Sequence, residues 1–254
     1  RPGPLLSVII PVYNERGTWR ELLRRVEAVD LGRWRREVLL IDDGSSDGTR
    51  QELAALPIDS GAAARAGDGR RVLFHPANRG KGAALHTGFA AAAGDAVLVQ
   101  DADLEYDPRD IPRLLAALDA GGARAVYGSR FARGRRPPGS RASFLANRVL
   151  TTLLNLLTGL RLTDMETCYK LLRREVLAGL ELRQARFGFE PELTARLARR
   201  GVAITEVPIR YAGRSYAAGK KIGWRDGVQA VGCILWYAGL ERVIRRGARR
   251  ASGG

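Results

Sequence analysis

Two aspartates that follow an apolar stretch are the residues of this chain best suited to chemistry. Asp101 and Asp103 come directly after Ala96–Gln100, and residues at positions i and i+2 of an extended backbone point to the same side. Carboxylates paired in this way suit Mg²⁺ or Mn²⁺, which take one or two protein carboxylates and complete their shell with water and phosphate oxygens. A solvated acidic turn is the alternative, but the position after an apolar strand favours a metal site.

Polar clusters also follow three other predicted strands. They are Asn14-Glu15, Asp42-Asp43 and Asn78–Lys81. The carboxyl ends of parallel strands are where open α/β sheets bind ligands, so we expect these clusters to line one crevice with Asp101 and Asp103. The glycine-rich segment around Lys81 opens a helix, which favours contact with phosphate or nucleoside and makes Lys81 a candidate ligand-binding residue.

The elements that must position these clusters alternate along the first half of the chain. Apolar stretches predict strands at Leu5–Val12, Glu37–Ile41, Val72–His75, Ala96–Gln100 and Ala125–Ser129. Helical patterns lie between them, the first opening on a capping box formed by Thr18 and Glu21, and another with Asp107 as its N-cap. This alternation predicts an α/β fold with a mainly parallel, doubly wound sheet and helices on both faces.

The second half of the chain is less regular. It contains a basic loop at Arg133–Arg141, predicted helices at Phe144–Leu157 and Glu190–Arg200, a predicted strand at Val202–Val207, and a helix at Trp224–Arg246 with a basic end. We expect one domain carrying the site over residues 1–222. The remaining residues, 223–254, are predicted to form an amphipathic helix and a basic tail.

Composition limits the possible partners and compartments. The chain has 254 residues, with 42 Lys and Arg against 27 Asp and Glu and a net charge of +15. This excess predicts an acidic partner such as nucleic acid, anionic lipid or a phosphorylated metabolite, unless it reflects a coding bias toward arginine. The two cysteines, without a C-x-x-C spacing, exclude a secreted disulfide scaffold and favour a reducing cytosol.

Several familiar site patterns are excluded by the sequence. A calcium loop beginning at Asp43 would need a bidentate Glu at its twelfth position, where Ala54 stands. The G-x-G-x-x-G and G-x-x-x-x-G-K-[ST] patterns of dinucleotide and P-loop sites are absent. His75 and His86 lack a metal-ligand spacing, and we interpret both as structural.

Five short motifs together are more specific than any one of them. They are Pro11-Val-Tyr-Asn-Glu15, Asp42-Asp-Gly-Ser45, Asn78–Gly82, Asp101-Ala-Asp103 and Gly128-Ser-Arg130. In this order they resemble the family 2 glycosyltransferases with the GT-A fold, which is Rossmann-like, and within that family the polyprenyl-phosphate (dolichyl-phosphate) hexosyltransferases. The resemblance extends from about residue 5 to residue 221.

The resemblance implies roles for individual residues. The nucleotide base and ribose would be held by Pro11, Tyr13, Glu15 and Asp42. The metal and the diphosphate would be bound by Asp101 and Asp103, with Glu105 close to the ion where relatives frequently have Gln. The resemblance also implies inversion of the anomeric centre.

The departing diphosphate sets a further requirement. Cleavage of the anomeric C–O bond leaves negative charge on a nucleoside diphosphate, and a cation fixed in place beforehand stabilises that charge. The basic run from Arg210 to Lys221 is predicted to close over the same phosphates, through Arg214, Ser215 and Lys220. A solvated basic loop is the alternative.

The acceptor decides whether a base is needed. A sugar hydroxyl must lose a proton as it attacks, which requires an Asp or Glu base, whereas a lipid phosphate is already anionic near neutral pH. A phosphate acceptor needs positive charge instead, for which Arg130, Arg141 and Arg148 are the candidates. Asp164 resembles a residue near the acceptor in relatives, and Glu190 is expected to line the same space. Both are equally well interpreted as helix caps.

Membrane contact would follow from a lipid acceptor. Val149–Leu162 and Val228–Leu240 are apolar, and the second is followed by a basic cluster that would attract anionic lipid. That cluster is Arg242, Arg245, Arg246, Arg249 and Arg250. The alternative is a core helix with a solvated tail. We expect peripheral association with the cytoplasmic face of a membrane.

Taken together, the sequence predicts a metal-dependent transferase that moves one hexose from a nucleotide sugar to a polyprenyl phosphate. UDP-glucose is the favoured donor and GDP-mannose the alternative. A related enzyme acting on a soluble or polysaccharide hydroxyl, with a base such as Asp164, is the nearer rival. A non-enzymatic module binding RNA or membrane is more distant, because acids at the strand ends would repel a polyanion, and we expect no nucleic acid partner.

Overall fold

A seven-stranded sheet organises the molecule. The computed structural model describes residues 2–57, 69–132, 141–213 and 224–241. Its strands are β1 (Leu5–Val12), β2 (Arg35–Asp42), β3 (Gly69–Phe74), β4 (Ala96–Val99), β5 (Ala125–Ser129), β6 (Lys170–Arg173) and β7 (Ile204–Pro208). Their order across the sheet is β3-β2-β1-β4-β6-β5-β7.

Helices connect most of these strands. They are α1 (Trp19–Ala28), α2 (Thr49–Ala54), α3 (Lys81–Ala91), α4 (Ile111–Asp119), α5 (Arg141–Thr158), α6 (Arg174–Leu177), α7 (Phe189–Arg199) and α8 (Trp224–Ile234). A short 3₁₀ turn, Pro108–Asp110, precedes α4, and a π-helical stretch, Leu235–Leu240, continues α8.

The register of the parallel strands brings their carboxyl ends to one edge. Val12 of β1 pairs with Asp42 of β2, which pairs with Phe74 of β3. On the other side of β1, Ile9 pairs with Val99 at the end of β4. β1 and β4 are buried on both faces, and their residues are apolar except for Ser7, whose buried hydroxyl donates to Glu37. The predicted mainly parallel sheet is confirmed.

One strand runs against the others. β6 pairs antiparallel with both β4 and β5, and the sequence analysis does not predict it. Its four residues begin with the buried Lys170 and end with Arg173, so the segment lacks the long apolar pattern of β1. The loop that enters β6 consequently meets the same edge of the sheet at which β4 and β5 end.

Two predicted N-caps have different outcomes. Asp107 caps its helical turn as predicted, since its side chain accepts a hydrogen bond from the backbone N of Arg109 at 3.0 Å. The capping box of Thr18 and Glu21 is wrong. The Thr18 hydroxyl instead donates to the Glu15 carboxylate at 2.7 Å, and Glu21 pairs with Arg24 and Arg25. Helix α1 thus begins after Thr18 without a side-chain capping hydrogen bond.

The start of α3 packs closely against a segment from the far half of the chain. The backbone N of Ala83 donates to the carbonyl of Ala185 at 3.0 Å. A Cβ atom at Gly80 would overlap that carbonyl, and one at Gly82 would overlap the carbonyl of Gln184. Gly80 also has φ +99°, a backbone conformation that favours glycine.

Helix α8 and the π-helical stretch that continues it, together called the C-terminal helix, pack against α7. Gln184 Nε2 donates to the hydroxyl of Tyr237 at 3.0 Å, the Arg196 guanidinium lies 5.0 Å from the centre of the Tyr237 ring, and Arg199 pairs with Glu241 at 2.9 Å. Residues up to 241 are thus attached to the main domain. A domain boundary at residue 222 remains a prediction.

Candidate active site

The loops that follow β1 and β2 are hydrogen-bonded to each other. The backbone N of Asn14 donates to Ser45 Oγ at 3.0 Å, and the backbone N of Ser46 donates to Asn14 Oδ1 at 2.8 Å. Asn14 has φ +52°, which Asn tolerates better than most residues. Pro11, Tyr13 and Glu15, the predicted nucleotide-binding residues, are half-buried at this edge.

Asp43 connects the loop after β2 to the loop after β3. Its buried carboxylate accepts hydrogen bonds from Asn78 Nδ2 at 2.9 Å and from the backbone N of Arg79 and Gly80 at 3.0 and 2.7 Å. His75 Nδ1 lies 2.7 Å from the same carboxylate, and His75 Nε2 lies 2.9 Å from Thr87 Oγ1. These contacts support the structural interpretation of His75.

Asp42 is fully buried beneath the same loop. One carboxylate oxygen accepts from the backbone N of Ser45 at 3.2 Å, and the other pairs with Arg50 at 3.0 Å. Arg50 also donates to the carbonyl of His75 at 2.7 Å. The predicted contact of Asp42 with nucleotide remains a prediction, and its visible contacts hold the loop.

The ion pair between Lys81 and Asp101, called the lysine pair below, lies at the end of β4. Lys81 Nζ, at the start of α3, lies 2.9 Å from Asp101 Oδ1 and 3.0 Å from Asp101 Oδ2. The same ammonium lies 3.0 Å from Glu190 Oε1 on α7. Burial alone would lower the pKa of Lys81, but the charges of Asp101 and Glu190 outweigh it and raise that pKa well above its ordinary value.

The segment after Asp101 turns sharply. Leu104 has φ +63°, and Asp103 Oδ1 accepts from the backbone N of Glu105 at 3.1 Å. Glu105, predicted as a third metal ligand, accepts a hydrogen bond from the Tyr211 hydroxyl at 2.6 Å. Tyr211 belongs to the basic run whose closure over the phosphates was predicted.

The predicted metal site can be tested against the side chains available to coordinate an ion. Within residues 2–57, 69–132, 141–213 and 224–241, no three His, Cys, Asp or Glu side chains are gathered in a way that would hold a metal by themselves. Mg²⁺ needs fewer, because substrate phosphates and water supply its other oxygens. Asp101 already presents both carboxylate oxygens to a cation, the Lys81 ammonium. Asp101 and Asp103 therefore fit a divalent ion shared with a phosphorylated ligand.

The ion pair between Arg130 and Asp164, called the arginine pair below, lies where β5 meets the loop before β6. Arg130 Nε and Nη2 each lie 2.7 Å from one oxygen of the Asp164 carboxylate, and the backbone N of Arg130 donates to it at 3.0 Å. Asn147 Nδ2 on α5 adds a hydrogen bond at 3.0 Å. The Asp164 side chain is 0% exposed. Such a two-pronged, buried geometry is the strong form of this pair.

The surroundings of Asp164 decide its acid–base character. Burial alone would raise its pKa, but the charge and hydrogen bonds of Arg130 hold the pKa below its ordinary value. Both carboxylate oxygens are engaged, and the loop is fixed further by Glu206, which accepts from the backbone N of Thr163 at 2.8 Å. Asp164 is therefore poorly suited to take a proton from an attacking hydroxyl.

Lys170 is fully buried and Glu166 is half-buried near it, and the sequence analysis assigns a role to neither residue. Lys170 Nζ donates to the carbonyls of Met165 and Thr167 at 2.7 and 2.6 Å, and lies 4.2 Å from the centre of the Tyr127 ring. Burial lowers the pKa of Lys170 and raises that of Glu166. A lysine inside an otherwise apolar stretch, Tyr169–Leu172, was the available signal.

Helix α5 carries the remaining predicted acceptor residues. Arg141 and Arg148 are exposed, whereas Asn147 is buried against Asp164. A shallow groove of about 410 Å³ runs along the helix. It is lined by Arg148, Val149, Thr152, Leu153 and Leu156.

Large apolar side chains are exposed on α5 and on the C-terminal helix. On α5 they are Leu145, Val149 and Leu156, the last 78% exposed. On the C-terminal helix they are Val228, Leu235, Trp236 and Leu240. In the part of the chain that the structure describes, no helix is long and apolar enough to cross a membrane.

Some predicted residues cannot be placed. Arg214, Ser215 and Lys220 lie outside the described residues, as do the five arginines of the C-terminal basic cluster. Of the other predicted site residues, the structure brings Lys81, Asp101 and Glu190 together, and joins Arg130 to Asp164. Arg141 and Arg148 lie on the helix that supports Asp164 through Asn147.

Comparison with known proteins places this geometry in a family. The family model described as Glycosyl transferase family 2 matches residues 7–180. An undecaprenyl-phosphate 4-deoxy-4-formamido-L-arabinose transferase of Klebsiella pneumoniae is 34% identical over 223 residues, covering 86% of this chain and 63% of the relative. The chain thus spans somewhat less than two thirds of that relative's length.

Solved structures confirm the predicted GT-A fold. Glucosyl-3-phosphoglycerate synthase of Mycobacterium tuberculosis, crystallised with Mn²⁺, UDP and glucosyl-3-phosphoglycerate, is 24% identical with a TM-score of 0.69, covering 94% of this chain and 81% of that one. The same enzyme with Mg²⁺ and UDP gives 24% identity and a TM-score of 0.68 over 94% and 80% of the two chains. At this level of identity the likeness concerns the fold.

Proposed function

The chain belongs to glycosyl transferase family 2, and on that premise we propose that it transfers a sugar from a nucleotide sugar to a polyprenyl phosphate, with inversion at the anomeric carbon. The relative named above acts on undecaprenyl phosphate, which supports the acceptor class. That relative transfers an arabinose derivative, a five-carbon sugar. Our proposal of a hexose, with UDP-glucose as first donor and GDP-mannose as second, rests on the sequence motifs.

The observation that carries this proposal is the state of Asp164. An acceptor hydroxyl requires a base, and Asp164, the candidate base, is buried, doubly bonded to Arg130 and lowered in pKa. A phosphate acceptor is anionic near neutral pH and needs no such base. The arrangement therefore removes Asp164 as the base of the rival enzyme, which supports a phosphate as the attacking group.

The donor side of the reaction follows from the lysine pair. A divalent cation held by Asp101 and Asp103 would stabilise the negative charge that develops on the departing diphosphate. Lys81 Nζ lies about one hydrogen-bond length from Asp101, so its ammonium adds positive charge at the same place. Asp43 fixes the loop that leads into Lys81, which keeps this charge positioned before the donor arrives.

The acceptor side follows from α5. The groove beside Arg148 is lined mainly by Val149, Leu153 and Leu156, and a polyprenyl phosphate combines an apolar chain with an anionic head. Arg141 is exposed on the same helix. We assign the head to these arginines and to Arg130, which lies next to the loop that Asn147 holds.

The exposed apolar residues of α5 and the C-terminal helix support peripheral contact with a membrane at its cytoplasmic face. Isolated exposed leucines are common, but Leu235, Trp236 and Leu240 are all exposed within the six residues of Leu235–Leu240, and amphipathic helices of this kind lie at lipid interfaces. The net charge of +15 favours anionic lipid. Replacing Trp236 and Leu240 by Ser should reduce sedimentation with phosphatidylglycerol vesicles and leave sedimentation with pure phosphatidylcholine low.

The decisive experiment is sugar transfer in vitro. Radiolabelled UDP-glucose, GDP-mannose or nucleotide-activated 4-deoxy-4-formamido-L-arabinose is incubated with the protein, Mg²⁺ and a short-chain polyprenyl phosphate. Label should move into the organic phase with one of these donors. Asp103→Ala should lower the rate at least about 10²-fold, and Glu175→Ala, at an exposed glutamate of α6, should not. Label on water-soluble hydroxyl acceptors only would support the rival enzyme and refute the proposal.

A further inference from the structure

Two carboxylates in the middle of the site each have an oxygen with no hydrogen-bond partner among the described residues. They are Glu166 Oε1 and Glu190 Oε2, and both atoms are buried. The hydroxyl of Thr167, the residue after Glu166, is also buried without a partner among the described residues. Leaving a buried polar atom without a partner costs free energy, and a ligand that donates hydrogen bonds to these two carboxylate oxygens would remove that cost.

The position of these oxygens is fixed from both sides. Glu190 is only 5% exposed, and its other oxygen, Oε1, contacts Lys81, which contacts Asp101. Glu166 lies two residues after Asp164 in the loop that precedes β6, and both Asp164 and Arg130 act on its charge. The two carboxylates therefore lie between the lysine pair and the arginine pair.

The same segment touches the donor side directly. Cys168 Sγ donates to the carbonyl of Val99 at 3.7 Å, which places the chain just after Glu166 beside the end of β4 that leads into Asp101. The group transferred in a displacement reaction must lie between the leaving group and the attacking group. In this site that space lies between Asp101 and Arg130.

We propose that Glu166 binds a hydroxyl group of the transferred sugar, next to Glu190, and thereby determines which sugar the enzyme accepts. This inference rests on the proposed function and deepens it. Sugar hydroxyls supply the donors that the unpartnered oxygens lack. A site built to hydrogen-bond a hydroxyl discriminates strongly against an analogue without it, because its own polar atoms are then left unpaired.

The electrostatics of Glu166 agree with this assignment. Burial and the negative charge of Glu190 raise its pKa, against the opposing charges of Lys170 and Arg130. A carboxyl group in its neutral form donates one hydrogen bond and accepts another, which matches the two-way bonding of a sugar hydroxyl. Asp164, two residues away, is held as a carboxylate by Arg130 and has no such capacity.

The test compares a nucleoside diphosphate with its sugar ester. Calorimetric titrations with Mn²⁺ use UDP and UDP-glucose, and GDP and GDP-mannose, on the wild type, Glu166→Ala, Glu166→Gln and the exposed control Glu175→Ala. We expect Glu166→Ala to weaken binding of the nucleotide sugar about tenfold and binding of the diphosphate less than twofold. We expect a smaller loss for Glu166→Gln, which keeps the shape and hydrogen-bonding capacity of the side chain.

Monodeoxy analogues of the bound nucleotide sugar identify the hydroxyl. The analogue that lacks it should bind the wild type weakly and bind Glu166→Ala as well as the parent sugar does, which is the non-additivity of a direct contact. Thermal unfolding separates a structural role, since removal of an unpartnered buried carboxyl should not lower the midpoint. A parallel loss of diphosphate affinity, a lowered midpoint or additive deoxy effects would overturn the inference.

The outcomes also distinguish this inference from the proposed function. If the wild type binds neither pair of nucleotides, both are refuted. If the wild type binds a nucleotide sugar and Glu166→Ala binds it equally well, only the sugar contact is refuted. Label transfer into the organic phase, measured separately with the wild type, reports the proposed function alone.

Discussion

The lysine pair and the arginine pair are both carboxylate–cation contacts at the same edge of the sheet, yet they differ in exposure and in geometry. The side chains of Lys81 and Asp101 are 18% and 20% exposed. Asp164 is 0% exposed and Arg130 13%. Lys81 offers a single charged atom to two carboxylates, whereas Arg130 offers two parallel donors to one carboxylate.

This difference separates a contact that can be exchanged from one that is fixed. An ammonium is a compact point charge on a flexible stem, and another cation can take its place, whereas the planar guanidinium holds a carboxylate in one orientation. The lysine pair therefore suits a centre where a metal and phosphates arrive and leave. The arginine pair suits a rigid wall for the acceptor, and removing one partner would leave a buried charge unpaired.

The largest effect on activity is expected at the exchangeable contact. Asp101→Asn removes the negative charge that attracts a cation, so the transfer rate should fall about 10²- to 10³-fold. The free energy of unfolding should change by less than about 1 kcal/mol. The Lys81 ammonium still has its salt bridge to Glu190 and is still partly exposed to water. Label transfer and urea unfolding measure the two quantities. An inactive variant that is also strongly destabilised would contradict the comparison.

The largest effect on stability is expected at the fixed contact. Asp164→Ala leaves Arg130 buried without its partner and should lower the free energy of unfolding by about 3 kcal/mol, measured by urea denaturation. The double variant Arg130→Met/Asp164→Leu should recover a large part of that loss, because it removes both charges. If the single and double variants are equally unstable, the charge pair is not the cause.

A smaller effect is expected in the pH dependence of stability. The lowered pKa of Asp164 contributes stability that is present above the unfolded pKa, near 3.9, and is lost as the pH falls through the folded value. Glu166 has the opposite sign. Its raised pKa makes the folded state hold the proton longer, so its contribution decreases as the pH rises above about 4.3.

Glu166→Gln separates these two contributions. Between pH 5 and 8 the variant should lose less stability than the wild type, by on the order of 1 kcal/mol, in urea unfolding at several pH values. Below pH 4 the two proteins should lose stability in parallel, because Asp164 is unchanged in both. An identical profile for the two proteins from pH 5 to 8 would show that Glu166 keeps an ordinary pKa.

The parallel half of the fold was predictable because its signals are local. Ala125–Ser129 was predicted at the bounds that β5 has, and β1 likewise, since a buried strand is marked by its own apolar residues. β6 was missed because antiparallel pairing with β4 and β5 is a long-range property and Lys170 interrupts its pattern. The capping box of Thr18 and Glu21 was wrong because the Glu21 side chain pairs with Arg24 and Arg25 along the helix instead of turning back toward Thr18.

In the candidate site, too, the residues with local sequence signals were predicted and the contacts between distant residues were not. The strand-end acids were predicted from their position after apolar stretches and Lys81 from the glycine-rich helix start, and the structure joins Lys81 to Asp101. The pairing of Arg130 with Asp164 joins residues 34 positions apart, which spacing alone does not reveal. Glu190 was expected on the acceptor side, and the structure joins it by a salt bridge to Lys81, which was predicted to bind the donor.

The close packing of Gly80 and Gly82 against Gln184 and Ala185 has a consequence for how this enzyme can diversify. Because backbone meets backbone there, the separation between the lysine at residue 81 and the helix bearing residue 190 is set by main-chain contact, whatever side chains surround it. Mutation can then alter the residues that face a ligand while the frame keeps its dimensions. A side chain at either glycine would move both walls of the crevice at once.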